Sequence, residues 1–230
     1  MGQKTNPIGF RTGITLDWKS RWYAPKAAFG EFLIEDHRIR EFIDERLNRR
    51  QPYAAVSKIE IERTRSDVRV VLFTARPGLV IGPKGAEVDK LRGELEDLVD
   101  RKISVNIVEV KNPDLDAALV AEAVAEQLKK RVSFRRAMKM RCDATMAAGA
   151  KGVRIQCSGR LGGAEMARCE TQKRGSIPLQ SLQANVSYGH ATARTTYGAI
   201  GVKVWLYLGR FGEEPVVAPE GQRGRRRARL

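Results

Sequence analysis

The stretch Val80-Ile81-Gly82-Pro83-Lys84-Gly85-Ala86 decides how the first half of the chain folds. It is a Gly-x-x-Gly turn with a lysine inside it. An apolar run precedes it, and a helical pattern follows from Ala86 to about Arg101. Neither glycine carries a Cβ, so the backbone can approach something bulky. The first amides of the following helix lack intrahelical partners and sit at the positive end of its dipole, and Lys84 adds a full charge. Gly82, Pro83, Lys84 and Gly85 are therefore expected to hold a phosphate backbone. A Walker A loop is excluded, because no Gly-Lys-Ser/Thr occurs at the needed spacing.

Upstream, the pattern from Lys26 to Asn48 predicts a helix with a buried stripe of Phe29, Phe32, Leu33, Ile39, Phe42, Ile43 and Leu47, ended by Gln51-Pro52. Two strands follow, one through Val56, Ile59 and Ile61, the next with Val68, Val70, Leu72 and Thr74 on one face and a turn expected at Ser66-Asp67. Downstream, the helix after the glycine turn carries Val88, Leu91, Leu95, Leu98 and Val99, and a third strand alternates from Ile103 to Val110. The order helix, strand, strand, Gly-x-x-Gly, helix, strand resembles the prokaryotic-type (type II) KH domain, whose glycine loop clamps a short run of nucleotides.

Beyond Asn112-Pro113-Asp114 the pattern restarts. A helix is expected from about Asp114 to Arg131, with Leu115, Leu119, Ala123, Val124 and Leu128 inward. A second, capped by Ser133, is expected from Phe134 to Ala148. Gly149-Ala150-Lys151-Gly152 repeats the Gly-x-x-Gly spacing but precedes a strand (Val153, Ile155, Cys157), and reads as a helix C-cap. The remainder is β-rich, with strands expected over 177–188, 191–197 and 200–208. The fold class is thus α+β in two domains. An extended basic arm (1–18) precedes a type II KH domain (19–111). A C-terminal α+β domain (112–209) has helices packed on a mostly antiparallel sheet, and a disordered Arg-rich tail (210–230) ends the chain.

Charge narrows the function. Lys and Arg number 42 against 27 Asp and Glu, a net +15, which favours nucleic acid first and anionic membrane second. No apolar run approaches a membrane span, and the N-terminus lacks a secretory segment, so a soluble, intracellular protein without a membrane partner is expected. Cys142, Cys157 and Cys169 are scattered and odd in number, and His37 and His190 are isolated, which points to reduced thiols with no metal and no cofactor. From Lys129 to Arg141 the chain holds seven basic residues and no acid. On a helix starting near Ser133, Arg135 and Lys139 share a face with Arg136 beside them. Like charges so placed repel by a few tenths of a kcal/mol per pair, which an anionic partner offsets.

Several motifs in order carry a more specific resemblance: Met1-Gly2-Gln3-Lys4, Thr74-Ala75-Arg76-Pro77-Gly78 leading to the glycine turn, Phe134-Arg135-Arg136-Ala137-Met138-Lys139, Ser158-Gly159-Arg160-Leu161-Gly162-Gly163-Ala164-Glu165, Thr195-Thr196-Tyr197-Gly198, and Gly201-Val202-Lys203-Val204-Trp205. Over nearly its whole length the chain resembles the small-subunit ribosomal protein S-three family of bacterial or organellar type. The resemblance implies a place on the head of the small subunit, on 16S ribosomal RNA and beside ribosomal proteins ten and fourteen. It also implies a basic helix that lines the channel by which messenger RNA enters and helps unwind it without consuming nucleotide. The channel residues map to Arg135, Arg136 and Lys139, with Arg131 just before them. Lys4, Arg11, Arg160, Arg225, Arg226 and Arg227 are the candidate ribosomal RNA contacts. Gln180, Gln183 and Asn185 depart from the family pattern by removing charge.

Two other classes compete. A free KH regulator would not need the second domain or the basic arm. An enzyme such as a nuclease would need clustered acids, and only Glu165 beside Gly162-Gly163 hints at one, so no enzyme is expected.

Overall fold

The computed structural model describes residues 4–49, 53–64 and 67–212, with the Lys84 side chain left outside that description. The expected arm holds a short helix, α1 (Pro7–Arg11). Asn6 caps it by accepting from the amides of Ile8 and Gly9, and Pro7 occupies the first helical position, where its missing N–H costs nothing. The arm is therefore not extended throughout, and Arg11 is fully buried at the helix end.

The first domain opens with β1 (Ser20–Arg21) and α2 (Lys26–Ile43), which passes into wider π-type turns over Asp44–Arg49. The buried positions of α2 are Asp36, Ile39 and Ile43, one stripe at three- and four-residue spacing. Phe29 and Leu33, expected inside, are 50% and 55% exposed, because only the C-terminal half of the helix lies over the sheet. Phe32 packs instead against Trp22, with the Arg63 and Arg101 guanidinia over its ring. Asp36 collects Ser20 Oγ, Trp22 Nε1 and Arg63, which ties β1 to α2.

The sheet runs β1-β2-β3-β4, with β2 (Val56–Arg63) antiparallel to β3 (Asp67–Thr74) and β4 (Lys102–Glu109) parallel to β3. Val56 and Ile61 are both buried although their positions differ in parity, because a bulge between Val56 and Lys58 shifts the register by one residue. Between β3 and β4 lie α3 (Pro77–Ile81), the tight turn Pro83–Gly85 and α4 (Ala86–Val99). Leu91, Leu95 and Val99 of α4 close the core over Val68, Val70 and Leu72.

After a turn at Pro113–Leu115, Asp116 caps α5 (Ala117–Lys129) by accepting from Ala118 N at 2.8 Å. Its other oxygen accepts from Ser57 Oγ of β2, so this cap also joins the domains. The inward face of α5 is Ala117, Val120, Ala121, Val124, Ala125 and Leu128; Leu115 and Ala123, expected inward, are only half-buried. Ser133 precedes α6 (Phe134–Ala147) as expected, but its side chain makes no cap bond. Gly149 ends the helix at φ 103°, as the C-cap reading required.

The second sheet is antiparallel throughout, in the order β6-β5-β8-β7, from β5 (Gly152–Gly159), β6 (Arg168–Gly175), β7 (Ala184–Thr195) and β8 (Gly198–Arg210). Strand β6 escaped the sequence reading, since an edge strand of sequence RCETQKRG has no apolar alternation to detect. Residues 177–183 form a loop, and β7 is one continuous strand where two were expected. Gly189, between the two expected strands, lies where the start of α5 meets the sheet. A Cβ there would stand 2.4 Å from the Ala117 backbone, so glycine permits the helix to seat. Both helices cover the face carrying Val153, Ile155, Cys157, Val202, Val204 and Leu206. Among the described residues no helix is long and apolar enough to cross a membrane.

Candidate nucleic-acid interface

The glycine turn sits at the junction expected for it. Gly82 and Gly85 take φ of 68° and 82°, left-handed conformations that suit glycine. A Cβ on Gly82 would meet Glu87 Cγ at 2.6 Å. Pro83 is exposed, and Gly85 caps α4 without a side-chain hydrogen bond, so amides of the first turn remain available. The electrostatics are less favourable than the sequence motif implied. Glu87 and Asp89 occupy that first turn and complement the helix dipole themselves, with Glu87 also paired to Lys90 and Arg46. A phosphate at the turn would compete with these acids.

Helix α6 has no such competition. Ala137, Met138, Cys142 and Thr145 are buried against the sheet, which fixes the helix's rotation. Arg135, Arg136 and Lys139 are exposed, and among the described residues none of them has a carboxylate partner. The acids that do reach this helix are taken: Asp114 by Arg141 at 3.5 Å, and Asp143 by Arg174. Arg131 is exposed in the turn between α5 and α6, at φ 60°. The half-buried Phe134 ring carries the Arg135 guanidinium at 5.6 Å and that of Arg168, from β6, at 5.4 Å. The sequence reading missed Arg168, since it missed its strand.

The remaining candidates divide. Arg11 is not a surface cation. Its Nε donates to Ala184 O at 2.8 Å, and its terminal nitrogens reach Pro7 O, Leu179 O and Ser181 O at 3.1, 3.2 and 2.9 Å. An arginine with four backbone acceptors and no exposed surface pins the arm to the second domain, and this corrects its assignment as a ribosomal RNA contact. Arg160 is half-buried and braces its own loop, donating to Ala164 O at 3.0 Å and Tyr197 O at 3.2 Å. Glu165 is exposed beside that loop. Lys4 is exposed. Arg225, Arg226 and Arg227 lie outside the described residues, as does the Lys84 side chain.

Comparison with known proteins bears on both domains. A KH domain family model matches residues 38–115, and the model of "Ribosomal protein S3, C-terminal domain" matches residues 124–206. Small ribosomal subunit protein uS3 of Rhodopirellula baltica is 54% identical over 215 residues, 93% of this chain and 91% of that one. The chain belongs to the uS3 family of small ribosomal subunit proteins. The uS3 of Agathobacter rectalis is 54% identical over 91% of this chain and 94% of its own, and that of Desulforamulus reducens 51% identical over 97% and 100%. The two uS3 segments correspond to the two sheets, the KH match running from α2 to the linker and the C-terminal match from α5 to β8. The α+β, two-domain expectation therefore stands.

Proposed function

We propose that this chain is built into the head of the small ribosomal subunit, binds 16S ribosomal RNA there, and uses α6 to line the channel by which messenger RNA enters. The observation that supports the channel role is the helix itself: a buried apolar face holds Arg135, Arg136 and Lys139 toward solvent with no acid among the described residues to neutralise them. Arginine forks grip phosphates bidentately and lysine acts as a mobile point charge, and neither reads sequence. That indifference is what a channel serving every messenger needs. Cations carried on a packed helix beside a duplex junction favour the separated strands each time the messenger is drawn past, so opening base pairs needs no nucleotide hydrolysis by this chain. Ribosomal proteins ten and fourteen are its proposed neighbours, the cytoplasm its compartment, and binding rather than catalysis its activity.

Sedimentation of growing-cell lysates at physiological salt tests the assembly. The chain is expected in the small-subunit and ribosome fractions. Recovery only from the soluble fraction would favour a free RNA-binding regulator.

A further inference from the structure

The face of the second sheet away from its helices carries a row of side chains that the channel role does not use. Lys173 on β6, Arg154 on β5, Trp205 on β8 and Tyr188 on β7 stand opposite one another across the four strands. The Arg154 guanidinium lies 4.9 Å from the Trp205 ring centroid, and the Trp205 and Tyr188 rings are 5.4 Å apart. Like charges directly opposite in a sheet destabilise it, yet Arg154 and Lys173 are cross-strand partners with no acid between them. Arg154 Nε is buried and has no hydrogen-bond partner among the described residues, and neither Lys173 nor Lys4 has an ion-pair partner there. Above this end of the row, α1 and the 177–181 loop enclose a cleft of about 760 Å³. Lys4, Arg154 and Lys173 line it with Phe10, Gln180 and Ser181, and none of the described residues lining it is acidic. The buried Arg11 holds the loop to the helix, so the two walls of the cleft are fixed to each other.

We propose that this cleft is a second RNA site, which takes the phosphodiester backbone of ribosomal RNA between Lys4, Arg154 and Lys173. Unopposed cations, a buried guanidinium N–H without an acceptor and an aromatic surface beside them fit a nucleic-acid strand. The inference rests on the proposed binding of ribosomal RNA and adds where on the chain part of it occurs. It also gives the arm a role that requires its folded form: α1 carries Lys4 to the sheet.

The test uses the full chain and a transcript of small-subunit ribosomal RNA, with affinity measured across a salt series. Each phosphate contact contributes about 0.7 to the slope of log affinity against log salt for a single strand. Removing two contacts with Arg154→Gln and Lys173→Gln should therefore make the fall in affinity between 50 and 200 mM salt about sevenfold shallower than in the parent chain. The single variant Lys173→Gln, on an exposed side chain, should give about half that slope change without touching the Trp205 stack. Acetylation of Lys4 and Lys173 should be suppressed by the transcript and unaffected by inorganic phosphate at the same phosphate concentration; suppression by both would mark a free-phosphate site and overturn the proposal. Unchanged slopes in both variants, alongside a reduced slope in Arg135→Ala/Arg136→Ala/Lys139→Ala, would refute this cleft while leaving RNA binding intact. A parent chain that does not bind the transcript would refute both.

Discussion

Arg11 Nε donates to the carbonyl oxygen of Ala184 at 2.8 Å, across 173 residues of sequence. Three further carbonyls, of Pro7, Leu179 and Ser181, accept from the same guanidinium, so one side chain fastens the N-terminal arm to the start of β7. Hydrogen bonds to a charged donor contribute about 1.5–3 kcal/mol each, less what the loop carbonyls recover from water. Arg11→Ala is therefore expected to destabilise the chain by about 2–4 kcal/mol in urea unfolding. Arg11→Lys should restore only part of this, because a compact ammonium cannot span four acceptors arranged around a planar fork. Equal stability of Arg11→Ala and the parent would show that the arm is not fastened in solution.

Gly189→Ala tests the seat of α5. The added methyl would fall 2.4 Å from the carbonyl of Ala117, a contact that moves the helix start or the strand. A loss of about 2–3 kcal/mol is expected. Ala193→Gly, farther along the same face of β7, removes a methyl without this clash and serves as the comparison.

Glu122 gives a pH dependence. Burial pushes its carboxyl up from 4.5 to about 7, with Asp44, Glu126 and Asp116 adding repulsion against the charged form. The folded state thus holds this proton more tightly than the unfolded chain does. The associated stability is present at low pH and is lost as pH rises from about 4.5 through 7. Glu122→Gln removes the ionisation, so it should raise the unfolding midpoint at pH 8, and the gain should shrink as pH is lowered toward 5. A gain independent of pH would contradict the assignment.

The thiols separate by environment. Burial pushes Cys142 up to about 11 and Cys157 up to about 12, whereas Cys169 is exposed on the edge strand β6. Because the thiolate is the reactive form, iodoacetamide on the native chain should modify Cys169 and spare the other two until the protein unfolds. Modification of Cys157 at the rate of Cys169 would mean that the sheet opens locally.

Where one periodicity ran unbroken, the sequence was legible. Val68, Val70, Leu72 and Thr74 are all buried as the alternation of β3 required, and Ala137, Met138 and Cys142, at helical spacing, set the rotation of α6. The reading failed where a local device overrode the period. The bulge in β2 changes parity between Val56 and Ile61, and the edge strand β6 is polar on both faces. Asn6-Pro7 was a legible start signal for α1, hidden by the brevity of the helix. Arg11 is a different kind of failure. A basic residue in a basic arm gives no local sign that it is buried, because three of its four acceptors lie more than 160 residues away. The same holds for Arg154 and Lys173, which only strand register brings opposite one another.

Helix α6 is proposed to handle messenger RNA. The most direct test is translation by ribosomes carrying Arg135→Ala, Arg136→Ala and Lys139→Ala, on messengers with and without a stable hairpin ahead of the reading position. The hairpin messenger should be slowed severalfold relative to the parent, while the unstructured one is translated at close to the parental rate. Equal rates on both messengers, or equal slowing of both, would contradict a role for α6 in opening messenger structure.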